Sequence, residues 1–189
     1  MSKEITVYCG SSSTLAPVFT RAAQALGQEI ARSGAKLVTG AGRTGLMGAA
    51  ADAALAAGGS VKGIIPQFMV DRDWHHKDLS ELIVTPDMHV RKQLMAQSHA
   101  CIALPGGIGT FEELCEIITW RQLGLFKGNI VIFNADDYYS PLLEMFGKAV
   151  ATGFMRPDHL KLFAVASTAA EAVELALAPH SSTSFSAKF

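Results

Sequence analysis

The residues from Leu104 to Leu114, LPGGIGTFEEL, place two opposed features side by side. Pro105, Gly106, Gly107 and Gly109 break an apolar run and lead into a helix-forming segment. Backbone N–H groups at such a helix start carry partial positive charge and suit a phosphate. Yet Glu112 and Glu113 follow at once. Two readings stand for Glu113. Thr110 and Glu113 have the spacing of a capping box, in which the glutamate satisfies an orphan N–H. Alternatively, the carboxylate is held for chemistry. Upstream, MHVRKQLM sets Arg91 and Lys92 at the start of another helix, against the preference of the helix dipole, which hints at an external anion. Spacing alone ties neither residue to the glycine loop.

Two further loops could meet a ligand. CGSSS, Cys9 to Ser13, follows an apolar strand-like run; Gly10 permits close backbone approach, and the Ser11 hydroxyl can donate to phosphate or ribose. A polar turn capping the next helix is the other reading. GAGRTG, Gly40 to Gly45, matches G-x-G-x-x-G between a strand and a helix. A dinucleotide site would also need an acidic residue roughly 20 positions on, at the end of the next strand. VKGIIP offers none, and the loop follows the second strand rather than the first. It is therefore a nucleotide-shaped loop in which Gly42 can approach a ligand, not a mark of hydride transfer. His75 and His76 are adjacent and lack the helical spacing of a metal pair, so no metal is expected.

The elements that must carry these loops alternate. ITVYC, KLVT, VKGII, ELIVT, ACIAL, NIVIF and KLFAVA read as strands. Helical patterns run from Pro17 to Ser33, from the second glycine loop to Gly58, from Met88 to Ser98, from about Thr110 to Gly124, from about Pro141 to Ala151, and through Leu175. Residues 67–80 are polar and irregular. Apolar strands separated by helices predict an α/β fold: a single-domain, Rossmann-like, doubly wound parallel sheet with helices on both faces. The domain is expected over residues 1–178, with a flexible tail at 179–189. Ligands of such sheets bind beyond the carboxyl ends of the strands, near the reversal of strand order, where the strand-to-helix loops gather.

Composition narrows the function classes. At 49% hydrophobic and 17% charged residues, the 189-residue chain can bury a sizeable core. A net charge of -1 argues against a broad nucleic-acid or membrane surface. Three cysteines, an odd number without paired spacing, read as thiols in a reducing compartment. MSKEITVYCG does not read as a signal peptide, and no apolar run reaches membrane-spanning length. A cytoplasmic location is expected.

PGGIGTFEE fits the pattern P-G-G-x-G-T-x-x-E, and the chain resembles the LOG ("Lonely guy") family on that motif. CGSSS, GLMG, MHVRK and ITWRQLG match the family in the same order, over roughly Ile5 to Asp158. Members are cytokinin riboside monophosphate phosphoribohydrolases, often mislabelled lysine decarboxylases. The resemblance implies a homodimer or higher oligomer, no cofactor, and hydrolysis of the N-glycosidic bond of an adenine-type nucleoside monophosphate. By motif, Arg91 and Glu113 are the implied catalytic pair, and Lys92, Gly107, Gly109, Thr110 and Thr119 the implied substrate contacts. Gly10, Ser11, Gly42, Met88, Ile108 and Glu112, in the matching loops, join the implied binding set. Asp73 stands where the family often has Glu, and Ala41 where many members have Gly.

In this reading the phosphate sits on the N–H groups of Gly107 to Thr110, while Glu113 faces the ribose. There it stabilises the positive charge that builds on the sugar and can orient or deprotonate a water. Arg91 clamps phosphate or ribose. Two competing readings remain: a non-catalytic nucleoside-monophosphate-binding module, and pyridoxal-dependent decarboxylation, for which no lysine sits in a cofactor motif. The residues do not distinguish AMP from a prenylated adenine nucleotide.

Overall fold

The structure, a computed structural model, describes residues 3–179. Seven strands form one all-parallel sheet: β1 (Glu4–Tyr8), β2 (Lys36–Thr39), β3 (Val61–Pro66), β4 (Glu81–Thr85), β5 (Ala100–Ala103), β6 (Asn129–Phe133) and β7 (Ala164–Ala166). Their order is β4-β3-β2-β1-β5-β6-β7, with parallel pairing throughout. Order reverses between β1 and β5, so their carboxyl-end loops flank the crevice where ligands of such sheets bind.

Helices cover both faces. The first face holds α1 (Pro17–Arg32), α2 (Gly45–Ala56) and α7 (Ala169–Leu177). The second holds α4 (Met88–Met95), α5 (Ile108–Gln122) and α6 (Ser140–Ala151). Alternation along β1 shows how the sheet feeds both cores: Ile5 and Val7 join the first cluster and Tyr8 the second. Thr6, buried on the second side, bonds the Met95 carbonyl and the Ser98 hydroxyl at 2.7 Å each. Pro17 fits the first turn of α1, where its missing N–H costs nothing, and Ala23, Leu26 and Ile30 form the buried stripe.

Three expectations need correction. KLFAVA is a strand only at Ala164–Ala166, because Pro157–Leu162 forms a 3₁₀ turn that buries Leu162. The helix from Met88 ends at Met95 rather than Ser98, and residues 67–80 include the short helix α3 (Gln67–Val70). The expected tail at 179–189 lies outside the described residues from 180 onward.

Candidate active site

A cavity of about 620 Å³ lies over the carboxyl ends of β1, β2, β3 and β5. Its frame is main chain. The Gly10 N–H donates to the Pro105 carbonyl at 3.0 Å, and the Gly10 carbonyl accepts from the Leu46 N–H at 3.0 Å. These two bonds tie the loops after β1, β2 and β5 into one rim. Gly106 is required in this knot, since a Cβ there would collide with the Thr110 hydroxyl and crowd the Gly10 nitrogen. From the far side, the Tyr138 hydroxyl donates to the Gly106 carbonyl and the Tyr139 hydroxyl to the Leu104 carbonyl, the latter at 2.7 Å.

Helix α5 begins at Ile108, with Gly107 at its N-cap and no side-chain cap. Its first N–H groups have no partner within the helix, and no acidic residue occupies its first turn. The capping-box reading therefore fails: Thr110 is buried inside the helix, and Glu113 lies beyond the first turn. The Glu113 carboxylate instead accepts a hydrogen bond from Arg91 Nη1 at 2.9 Å.

That pair forms the buried floor of the cavity, with side chains only 8% and 11% exposed. Arg91 is fixed from a second direction, its Nε donating to the Ile64 carbonyl at 3.1 Å. Gly40 leaves room for the guanidinium, because a Cβ at that position would overlap it. Burial raises the Glu113 pKa, and Arg91 partly opposes the rise. Cys9, beside them, is pushed far up by burial and then by Glu113, which leaves it a neutral thiol.

Lys92 turns elsewhere, to Glu112 and, at 3.1 Å, to Glu116. Its pKa is raised, first by the hydrogen bond to Glu112. The two cations early in α4 thus each face carboxylates of α5.

The outer wall joins two loops far apart in sequence. The Arg43 N–H donates to the Trp74 carbonyl at 3.2 Å, and the His76 N–H to the Ala41 carbonyl at 2.8 Å. Gly42 and His75 form an isolated β-bridge. His76 Nε2 lies 2.9 Å from the Asp52 carboxylate, while Nδ1 accepts from the Asp78 N–H at 3.1 Å. Both ring nitrogens are engaged in holding the wall. Asp73 faces Arg43 and Lys77, and the hydrogen bond from Lys77 leads the lowering of its pKa.

The cavity brings together Gly10, Ser11 and Gly42 from the first two loops, Met88 and Arg91 from α4, and Gly107, Gly109, Thr110, Glu112 and Glu113 from the third loop and α5. Asp73, Lys92, Ile108 and Thr119 do not line it. Thr119 is exposed and donates back to the Cys115 carbonyl. Sequence reasoning passed over Arg43, Met47, Ile65, Met69 and Trp74, which line the cavity too. Arg43 lay inside the G-x-G-x-x-G loop and Met47 inside GLMG, whereas Ile65, Met69 and Trp74 lay in no motif. No lysine lines the cavity among the described residues, so a pyridoxal Schiff base has no amine there.

Fold and site together define a Rossmann-like α/β protein with an uncapped helix start above a buried arginine–carboxylate pair. Residues 47–176 match the family described as "Possible lysine decarboxylase". A probable cytokinin riboside 5'-monophosphate phosphoribohydrolase of Oryza sativa subsp. japonica is 45% identical over 168 residues, 88% of this chain and 75% of that one. The cytokinin riboside 5'-monophosphate phosphoribohydrolase of Rhodococcoides fascians is 45% identical over 157 residues, 82% and 79% of the two chains. Among solved structures, the molybdenum cofactor binding protein of Rippkaea orientalis aligns with a TM-score of 0.70 at 24% identity, over 93% of this chain and 95% of its own. The molybdenum cofactor carrier protein of Chlamydomonas reinhardtii aligns with a TM-score of 0.67 at 26% identity, over 92% and 94%. The chain belongs to the LOG family.

Proposed function

We propose that the chain hydrolyses the N-glycosidic bond of adenine-type nucleoside 5'-monophosphates, cytokinin riboside 5'-monophosphate or AMP, releasing free base and ribose 5-phosphate. The observation that carries this reading is the buried Arg91–Glu113 pair on the floor of a cavity whose rim is a helix start. Phosphate binding alone gains nothing from a buried carboxylate. The phosphate is held at Gly107 to Thr110, with Gly10, Ser11 and Gly42 beside it. Glu113 stabilises the oxocarbenium-like sugar and accepts a proton from the attacking water. Burial makes it a better base than an exposed carboxylate, and Arg91 holds it in place. The electron pair of the broken bond returns to the base, which takes its proton from solvent.

The chain acts as one domain over residues 1–178, as a homodimer in the cytoplasm, and does not bind nucleic acid. Unpaired Cys9, Cys101 and Cys115 support a reducing compartment. The homodimer rests on the resemblance to the family, and the net charge of -1 supports the absence of nucleic acid.

Product analysis tests the reaction. AMP and isopentenyladenosine monophosphate should yield free base and ribose 5-phosphate, and the matching nucleosides should react far more slowly. The remote phosphate positions the anomeric carbon, so its loss lowers turnover as well as affinity. Equal rates for adenosine and AMP would overturn the phosphate-anchored mechanism.

A further inference from the structure

The lining of the cavity differs in chemistry from element to element. Gly107, Gly109 and Thr110 bring backbone to one part, whereas Met47, Ile65, Met69 and Met88 make another part of the lining apolar. Trp74 is the one aromatic side chain lining it among the described residues. Its side chain is held in a defined setting. The Arg72 guanidinium lies over the indole, 5.1 Å from the ring centroid, and over Phe68 at 5.5 Å. The main chain fixes its position independently: the Trp74 N–H donates to the Met69 carbonyl at 3.2 Å and its carbonyl accepts from Arg43. The clasp of His76 on Ala41 and Asp52 closes the loop two residues on. The residue so anchored is nonetheless 46% exposed and lines the cavity.

We propose that Trp74 is a specificity-determining residue of the site, stacking on the planar purine of the nucleotide whose phosphate is held at Gly107 to Thr110. The inference rests on the phosphoribohydrolase reading and names the wall that selects its base. A purine offers the indole more stacking area than a pyrimidine does, so the ring favours purine monophosphates. The flexible methionines beside it tolerate an apolar substituent on the base. Asp73, one residue earlier, is engaged by Arg43 and Lys77 and leaves this role to its neighbour.

Kinetics and fluorescence test the inference separately. Trp74→Ala keeps the main-chain bonds of the wall. It should raise KM for AMP on the order of tenfold while kcat stays within about threefold, the scale of losing one base–aromatic stack. Trp74→Phe should recover most of the loss, and the preference for AMP over CMP should shrink in the alanine variant alone. Trp120 is the other tryptophan of the two, so Trp120→Phe leaves Trp74 as the single indole reporter. AMP should quench its emission saturably, and ribose 5-phosphate, which carries the phosphate without the base, should not. Unchanged KM in Trp74→Ala, or equal quenching by ribose 5-phosphate, would overturn the stacking role. Quenching by AMP without release of adenine would retain the stacking role and remove the hydrolase reading instead.

Discussion

Helices α4 and α5 present two ion pairs built from consecutive residues, and their surroundings set them apart. Arg91 meets Glu113 with side chains 8% and 11% exposed, while Lys92 meets Glu112 with 14% and 52%. The inner pair lies on the cavity floor, and Arg91 is further fixed by the Ile64 carbonyl. The outer cation divides its hydrogen bonds between Glu112 and Glu116. Burying two charges costs several kcal/mol per ion before their attraction repays any of it, roughly speaking, whereas an exposed pair gains about 0–1 kcal/mol. The inner pair is therefore an expensive way to join two helices, and its retention on the floor of the cavity argues for chemistry. The outer pair joins α4 to α5 through Glu112 and Glu116.

The largest effect comes from breaking the inner pair on one side. Arg91→Ala leaves the Glu113 carboxylate buried without its partner, and unfolding in urea should show a loss of about 3–5 kcal/mol. Adding Glu113→Leu removes the stranded charge and should recover a substantial part of that stability while hydrolysis stays absent. A double variant as unstable as Arg91→Ala would show that the cost is lost packing of the arginine, not an uncompensated charge.

Next comes Glu113→Gln, whose amide oxygen can still accept from Arg91. Stability should fall by less than in Arg91→Ala, because the amide keeps the hydrogen bond although buried Arg91 loses its countercharge, and turnover per folded molecule should fall by roughly a hundredfold, the scale of losing one electrostatic stabiliser. Retained activity would sink the catalytic role. The pH dependence sharpens the same point. Burial raises the Glu113 pKa above its ordinary 4.5, so the acid limb of kcat/KM in the wild type should have its midpoint above that value. In stability the sign is opposite: a raised carboxylate favours the folded state below its unfolded pKa and loses that contribution as pH rises through the folded one. A Glu113→Gln variant should lack both effects, and an acid limb at the ordinary carboxylate value would contradict the burial.

The inner pair also marks the reach of the sequence. Local chemistry announced the helix start: PGGIGT between an apolar strand and a helical run has few other uses. The alternation of strands and helices likewise disclosed the parallel sheet, since each strand is apolar on both faces. Arg91 and Glu113 were named through the family motif, but their contact was not, because nothing in a 22-residue separation records which helix faces meet. The same holds for the wall. Ala41 and Gly42 pair with His76 and His75 across more than thirty residues, in a stretch whose polarity reads as loop. Ala41 adopts a left-handed φ of 61° while buried, a conformation that suits the glycine many members of the family have there. Trp74 was invisible for that reason, as its place on the cavity depends on this long-range clasp.

The smallest effect belongs to the outer pair. Lys92→Ala removes a cation that Glu112 and Glu116 share, and Glu112 is exposed enough for water to replace it. Stability should change by under about 1 kcal/mol, and kcat/KM for AMP should stay within about fivefold of the wild type. Salt supplies the discriminating condition. An exposed pair is screened by added salt, whereas a buried one is not. The difference in stability between wild type and Lys92→Ala should therefore shrink as sodium chloride is raised, while the deficit of Arg91→Ala persists. If Lys92→Ala instead lowered kcat/KM as far as Glu113→Gln does, with stability unchanged, Lys92 would have to reach the substrate. The division between an inner chemical pair and an outer pair that joins two helices would then be wrong.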